Sequence, residues 1–221
     1  MAANGSIHLI LGPMFAGKTS RLINEVNDAK KANLECVVIT HDDSHRFSTR
    51  TEIVTHALMR CPAISLASLS EVPRDLLVNP PDLIAIDEGQ FFSQEEDELL
   101  NFCEMMANMG VRVVVAGLSG TFHRTPFWDL LKIIPCAEEI THLNSRCSSC
   151  VGEYKAVFTQ RTVPILSDEE VQQLDEKEYK RSLIGGEESY APCCRRCWHD
   201  RKQQLKPKSQ SKQEGMEQLQ Q

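Results

Sequence analysis

Residues 12–19 read Gly-Pro-Met-Phe-Ala-Gly-Lys-Thr, between an apolar run, "IHLIL" (7–11), and a stretch of helical spacing that opens at Lys18. G-x-x-x-x-G-K-[ST] between a strand and a helix commits the backbone to one kind of turn, whose N–H groups converge on an anion. Gly12 and Gly17 allow the bend, Lys18 supplies a mobile positive charge for the outer phosphates, and Thr19 offers a hydroxyl to Mg²⁺. The same letters without those flanks would be a chance glycine turn. With them they call for a phosphate cradle at the end of a buried strand.

Three further runs have the length and β-branching of fully buried strands: "CVVIT" (36–40), "LIAI" (83–86) and "VRVVVAG" (111–117). Leu22, Ile23, Val26 and Ala29 recur at helical spacing from Lys18 to Asn33, and Leu99, Leu100, Cys103 and Met106 do so from Gln94 to Met109. Ser93 and Glu96 make a capping-box pattern for the second helix, and Gly110 stands just past its end. A third helix is expected from Thr125, with Pro126 at its first position and "FWDLLKII" as its buried face. On that expectation Arg124 is a solvated charge near a helix cap, Trp128 a core aromatic, and Met105, Met106 and Met109 core or subunit contacts. Strands alternating with helices specify α/β architecture, a parallel sheet covered on both faces.

One of these strands ends in Asp87 and Glu88, two adjacent carboxylates at the lip of a core. Desolvation and mutual repulsion oppose that placement unless a cation or a reactive group lies nearby. A phosphate loop with Mg²⁺ is such a partner, because the metal is usually also held by an aspartate ending a neighbouring strand, and Asp87 fits that role. Alternation along a strand sends Glu88 another way. It is either a base for an acceptor hydroxyl or a second acid acting on water; residue types alone leave both open, and Gln90 fits either by fixing a substrate amide or by orienting water.

The nine cysteines fall into isolated positions and two knots, Cys147-x-x-Cys150 and Cys194-x-x-Cys197. The two-residue gap lets both sulfurs of a pair reach one tetrahedral ion, which points to a structural zinc pinning the base of a long loop, with Cys193 as the spare thiol. A formal charge of −7 weighs against a nucleic-acid partner, which requires clustered Lys and Arg. No apolar stretch approaches the roughly 20 residues of a membrane span, and "MAANGSIHLILG" lacks the marks of a secretory signal, so an intracellular location is expected. "SDEEVQQLDEKEY" (167–179) has a Ser-x-x-Glu cap and helical composition, and the Gln- and Lys-rich end has almost nothing to bury.

"GPMFAGKT", "IDEGQFF", "GTFHRTPF" and the two cysteine knots, in this order, resemble the zinc-containing type II thymidine kinases, over about residues 6–200. The resemblance implies a phosphate-loop kinase domain (1–142), a small zinc-ribbon-like lasso domain (143–200) and a disordered tail (201–221). It implies phosphoryl transfer from ATP to the 5′-hydroxyl of thymidine to give dTMP, with Glu88 as the base. Pro13, Met14, Phe15 and Ala16 join Gly12, Gly17, Lys18 and Thr19 around the triphosphate. Ser44, His45 and Arg46 match a further phosphate segment, and Asp87 and Gln90 complete the nucleotide set. The deoxyribose and base pocket falls on Met14, Phe91, Leu118, Phe122, Phe127, Thr159 and Tyr190. A lasso reading thymine through main-chain groups falls on Arg181, Ser182, Leu183, Ile184 and Gly185. Family habit further implies a cytoplasmic homotetramer with dTTP as feedback ligand.

Overall fold

The computed structural model describes residues 4–42, 52–54, 59–92, 96–150, 154–162 and 188–204. Its centre is a six-stranded parallel sheet built from β1 (Ser6–Gly12), β2 (Cys36–His41), β5 (Ile64–Leu66), β6 (Leu83–Asp87), β7 (Arg112–Leu118) and β8 (Glu139–His142). The spatial order is β5-β2-β6-β7-β1-β8. A short antiparallel pair, β3 (Glu52–Val54) with β4 (Arg60–Pro62), stands beside it.

Side chains alternate across the sheet and separate two cores. Leu9 and Leu11 of β1, Ile84 and Ile86 of β6, and Val113 and Val115 of β7 point to one side. There they meet Leu99, Phe102, Cys103 and Met106 of helix α3 (Glu98–Asn108). Ile10, Ala85, Val114 and Ala116 face the other way, onto Leu22, Ile23, Val26 and Ala29 of helix α1 (Lys18–Lys31). Each fully buried aliphatic side chain contributes about 1.5–3 kcal/mol, so both layers are strongly fixed. A five-residue helix, α2 (Arg74–Val78), precedes β6.

The four apolar runs form β1, β2, β6 and β7, and α1 buries the four residues its spacing singled out. Helix α3 begins at Glu98, four residues later than the expected start at Gln94. Asp97 stands before it in a left-handed conformation, φ 60°, which a helix cannot include, and its carboxylate pairs with Lys132. The Glu98 carboxylate turns away to accept hydrogen bonds from the Ser68 hydroxyl and the Leu69 N–H. The proposed cap residue Ser93 lies outside the described residues. Gly110, φ 93°, does close the helix. Met106 is fully buried, whereas Met105 and Met109 are exposed.

The helix expected from Thr125 is corrected. Thr121 donates its N–H to the Thr125 carbonyl at 2.9 Å, the two hydroxyls meet at 2.5 Å, and Gly120 bridges Pro126 in antiparallel fashion. Thr125 and Pro126 therefore close a turn, and the helix, α4 (Trp128–Leu131), is a single turn beginning two residues later. Strand β8 was not anticipated either. As the edge of the sheet it is mostly exposed and carries polar residues, so it lacks an apolar signature. The His8 ring and the Thr141 hydroxyl, 2.8 Å apart, fasten it to β1.

Beyond β8 come two antiparallel ribbons, β9 (Ser145–Arg146) with β10 (Lys155–Ala156) and β11 (Phe158–Arg161) with β12 (Tyr190–Cys193), then helix α5 (Arg195–Gln204). Helix α5 extends four residues into the stretch read as tail; 205–221 and the acidic segment 167–179 lie outside the described residues. No helix among the described residues is long and apolar enough to cross a membrane.

Candidate active site

The turn between β1 and α1 is held from both ends and from outside. Gly17 adopts φ 82° and ψ 23° directly before the helix, a conformation that costs a residue with a side chain about 1 kcal/mol. A Cβ on Gly12 would lie 2.6 Å from the Leu143 carbonyl oxygen, so only glycine fits that crossing. The Met14 N–H donates to the Thr159 hydroxyl at 3.0 Å, and the Phe15 carbonyl accepts from Ser145 at 3.1 Å. The ribbons after β8 thus brace the phosphate loop. Lys18 curls back to donate to the Pro13 carbonyl at 2.9 Å. Although the residue is partly exposed, its ammonium end is desolvated enough to lower its pKa, against the opposing pull of Glu88 and Asp87.

Asp87 does not end a strand neighbouring β1, as the sequence reading had it; β7 lies between. The side chains nevertheless converge, with the Thr19 hydroxyl donating to Asp87 Oδ1 at 3.2 Å. Burial, reinforced by the negative charge of Glu88, pushes the Asp87 carboxyl up to about 7, against the Thr19 hydrogen bond and the Lys18 charge. A buried acid so raised is poised to bind a cation, which would restore its ionised form.

Glu88 leaves the strand because the chain turns there. Its backbone is left-handed, φ 53° and ψ 41°, and leads into a 3₁₀ turn, Gly89–Phe91. Strand alternation alone, the basis of the expectation, would not have produced this reversal; a non-glycine residue in this region is a site of stored strain. Gln90, almost fully buried, donates to Glu88 Oε2 at 2.5 Å and accepts from the Leu118 N–H at 3.0 Å. The carboxamide therefore ties Glu88 to the end of β7. Glycine is required beside it: a Cβ on Gly117 would lie 2.6 Å from Leu130 Cδ2 and 2.8 Å from Gln90 Oε1. Gly117→Ala is expected to cost about 1–3 kcal/mol in denaturant unfolding, by overpacking, and to lower turnover by displacing Gln90. An unchanged unfolding midpoint would contradict this packing.

Of the expected nucleoside residues, the structure brings Met14, Thr159, Phe122 and Tyr190 into one neighbourhood. Thr159 receives the Met14 N–H, and the Phe122 ring lies 6.0 Å from that of Tyr190, which is buried on β12. Arg161, paired in register with Tyr190, sets its guanidinium 5.7 Å from the Phe122 ring; nothing in the sequence singled it out. Leu118 contributes the N–H that holds Gln90. Phe91 packs on the His41 ring, centroids 5.7 Å apart, and Phe127 packs against the core on the α3 side of the sheet. Ser44, His45, Arg46 and Arg181 to Gly185 lie outside the described residues.

The cysteine knots come together. The sulfurs of Cys147, Cys150, Cys194 and Cys197 all lie within 4.8 Å of one another, and Cys193, fully buried, is not of the set. A tetrahedral zinc bonded at about 2.3 Å separates its sulfurs by about 3.8 Å, so the cluster fits one such ion. Burial raises the Cys147 thiol, but N–H groups of Cys150, Cys194 and Ser149 outweigh it and bring it down to about 6. Burial and the neighbouring sulfurs push Cys197 up to about 12. A site that favours one thiolate and resists the next is suited to a cation that neutralises them together.

Fold and site together define a P-loop nucleotide-binding enzyme with an appended four-cysteine cluster able to hold a metal ion. A family model described as "Thymidine kinase" matches residues 5–198. The chain is 38% identical to the thymidine kinase of sheeppox virus (strain KS-1), over 88% of this chain and 97% of that one. It is 36% identical to that of myxoma virus (strain Uriarra), over 88% and 96%, and 35% identical to that of vaccinia virus (strain Western Reserve), over 89% and 98%. The chain belongs to the thymidine kinase family, in its zinc-containing type II branch.

Proposed function

We propose that this chain transfers the γ-phosphoryl group of ATP to the 5′-hydroxyl of thymidine, giving ADP and dTMP for DNA precursor synthesis. The observation that carries the mechanism is the meeting of Lys18, Thr19, Asp87 and Glu88 at one point beyond the sheet. The inward N–H groups of residues 12–19 cradle the triphosphate, and Lys18 leaves the Pro13 carbonyl to follow charge onto the outer phosphates. Thr19 and Asp87 are the residues that would hold Mg²⁺, which when bound with the nucleotide would supply positive charge to offset that of the phosphates. Glu88, aimed by Gln90, accepts the proton of the 5′-hydroxyl as that oxygen attacks phosphorus in line and the bond to ADP breaks.

Phe122, Tyr190, Thr159, Met14 and Leu118 wall the nucleoside pocket, with Phe91 and Phe127 beside it, and the segment 181–185 is assigned to recognition of thymine through main-chain groups. Arg46, with Ser44 and His45, adds charge at the phosphates. The cysteine cluster binds zinc and serves structure, holding the module from 143 to 200 against the kinase module 1–142, with 201–221 as a tail. We place the enzyme in the cytoplasm as a homotetramer restrained by dTTP, with no nucleic-acid or membrane partner.

Purified protein with Mg-ATP and a panel of nucleosides tests this directly. Thymidine is expected to give dTMP, with about one zinc per chain by metal analysis. ATP hydrolysis indifferent to thymidine would return Glu88 to the role of a water-activating acid.

A further inference from the structure

Arg124 is exposed, as a solvated charge would be, but its guanidinium also lies against two aromatic rings. It occupies a left-handed backbone conformation, φ 65°, rarely adopted by residues other than glycine, and its guanidinium lies 3.7 Å from the centroid of the Trp198 ring. The Phe158 ring stands 5.4 Å away on the same guanidinium. Trp198 follows Cys197 directly on α5, and its backbone N–H donates to the carbonyl of Cys194 at 3.0 Å, so the residue is mounted on the turn that carries two of the clustered cysteines. Phe158 opens β11, one residue before Thr159 and in register with Cys193.

At its other end the Arg124 turn carries Phe122, against Tyr190. The Thr121–Thr125 hydrogen bonds and the Arg124 N–H, which donates to the Thr121 carbonyl at 2.9 Å, close the turn into one unit. Moving Arg124 therefore moves Phe122.

We propose that Arg124 is a positioning residue that locks the 121–125 turn onto the thiolate centre, so that the cysteine cluster sets the placement of Phe122 and with it the affinity for nucleoside. The inference rests on the reading of Phe122 as a nucleoside-pocket wall. A flat guanidinium stacks on indole as a lysine ammonium does not, and the favourable stack offsets the strained backbone.

Arg124→Ala is expected to raise the KM for thymidine about tenfold while kcat, the KM for ATP and zinc content stay within twofold of the parent; Arg124→Lys falls between. The chain has two tryptophans, so in a Trp128→Phe background Trp198 is the sole indole reporter. There Arg124→Ala is expected to shift Trp198 emission, and metal chelation to shift it and weaken thymidine binding together. Trp198→Leu should reproduce the KM change, and the double variant should be no worse than the larger single. An unmoved thymidine KM, fully additive singles, a parallel rise in the ATP KM, or zinc loss in Arg124→Ala would each overturn the proposal. Parent protein that makes no dTMP would instead sink the underlying kinase reading.

Discussion

Glu88→Gln is expected to lower kcat by about 10²–10⁴-fold with thymidine binding nearly unchanged. The amide keeps the size of the carboxylate but cannot accept a proton at neutral pH. The left-handed backbone at 88 and the buried Gln90 hold the side-chain position whichever group it bears, although the Gln90 Nε2 donor must now face an amide. Initial-rate kinetics with a separate thymidine-binding measurement distinguish the outcomes. Loss of both kcat and binding would make Glu88 a substrate ligand, and retained turnover would make it a supporting charge. The same substitution removes a negative charge that helps push Asp87 upward, so Mg-nucleotide binding should hold or tighten slightly.

The second large effect concerns the thiolates. Cys147→Ser should lower zinc affinity by orders of magnitude, because this sulfur is buried and accepts the Cys194 N–H at 3.3 Å as well as belonging to the cluster. Structural zinc in small modules contributes on the order of 10 kcal/mol to folding, far more than the small cluster of apolar and cysteine side chains around this site could replace. Thymidine phosphorylation should be lost. Nucleotide binding should weaken less, since the Thr159 and Ser145 contacts brace the phosphate loop without forming it. A variant with full zinc content and normal thymidine KM would remove the cluster from any part in the site.

Much of this was legible in the sequence, for identifiable physical reasons. Strands buried on both faces must be continuously apolar, which exposed β1, β2, β6 and β7; edge strand β8 faces solvent and left no such trace. Cys147, Cys150, Cys194 and Cys197 could be paired off by spacing because ligand geometry constrains spacing directly. The turn at 121–126 was misread because Pro126 suits both a helix start and a turn, and threonine pairing across five residues decided between them. Gln90, Arg124 and Arg161 contact partners 28, 74 and 39 residues away, and no local pattern encodes such a partner.

The bracing of the phosphate loop by Thr159 has a thermodynamic corollary. Its hydroxyl accepts the Met14 N–H of the phosphate loop from the strand proposed above to wall the nucleoside pocket, so one hydrogen bond joins the two proposed subsites. A shift at one end of that bond is passed to the other, so binding on one side alters affinity on the other. Linkage then requires that thymidine sharpen the affinity for ATP by the same factor as ATP sharpens that for thymidine, and that Thr159→Val shrink both factors equally.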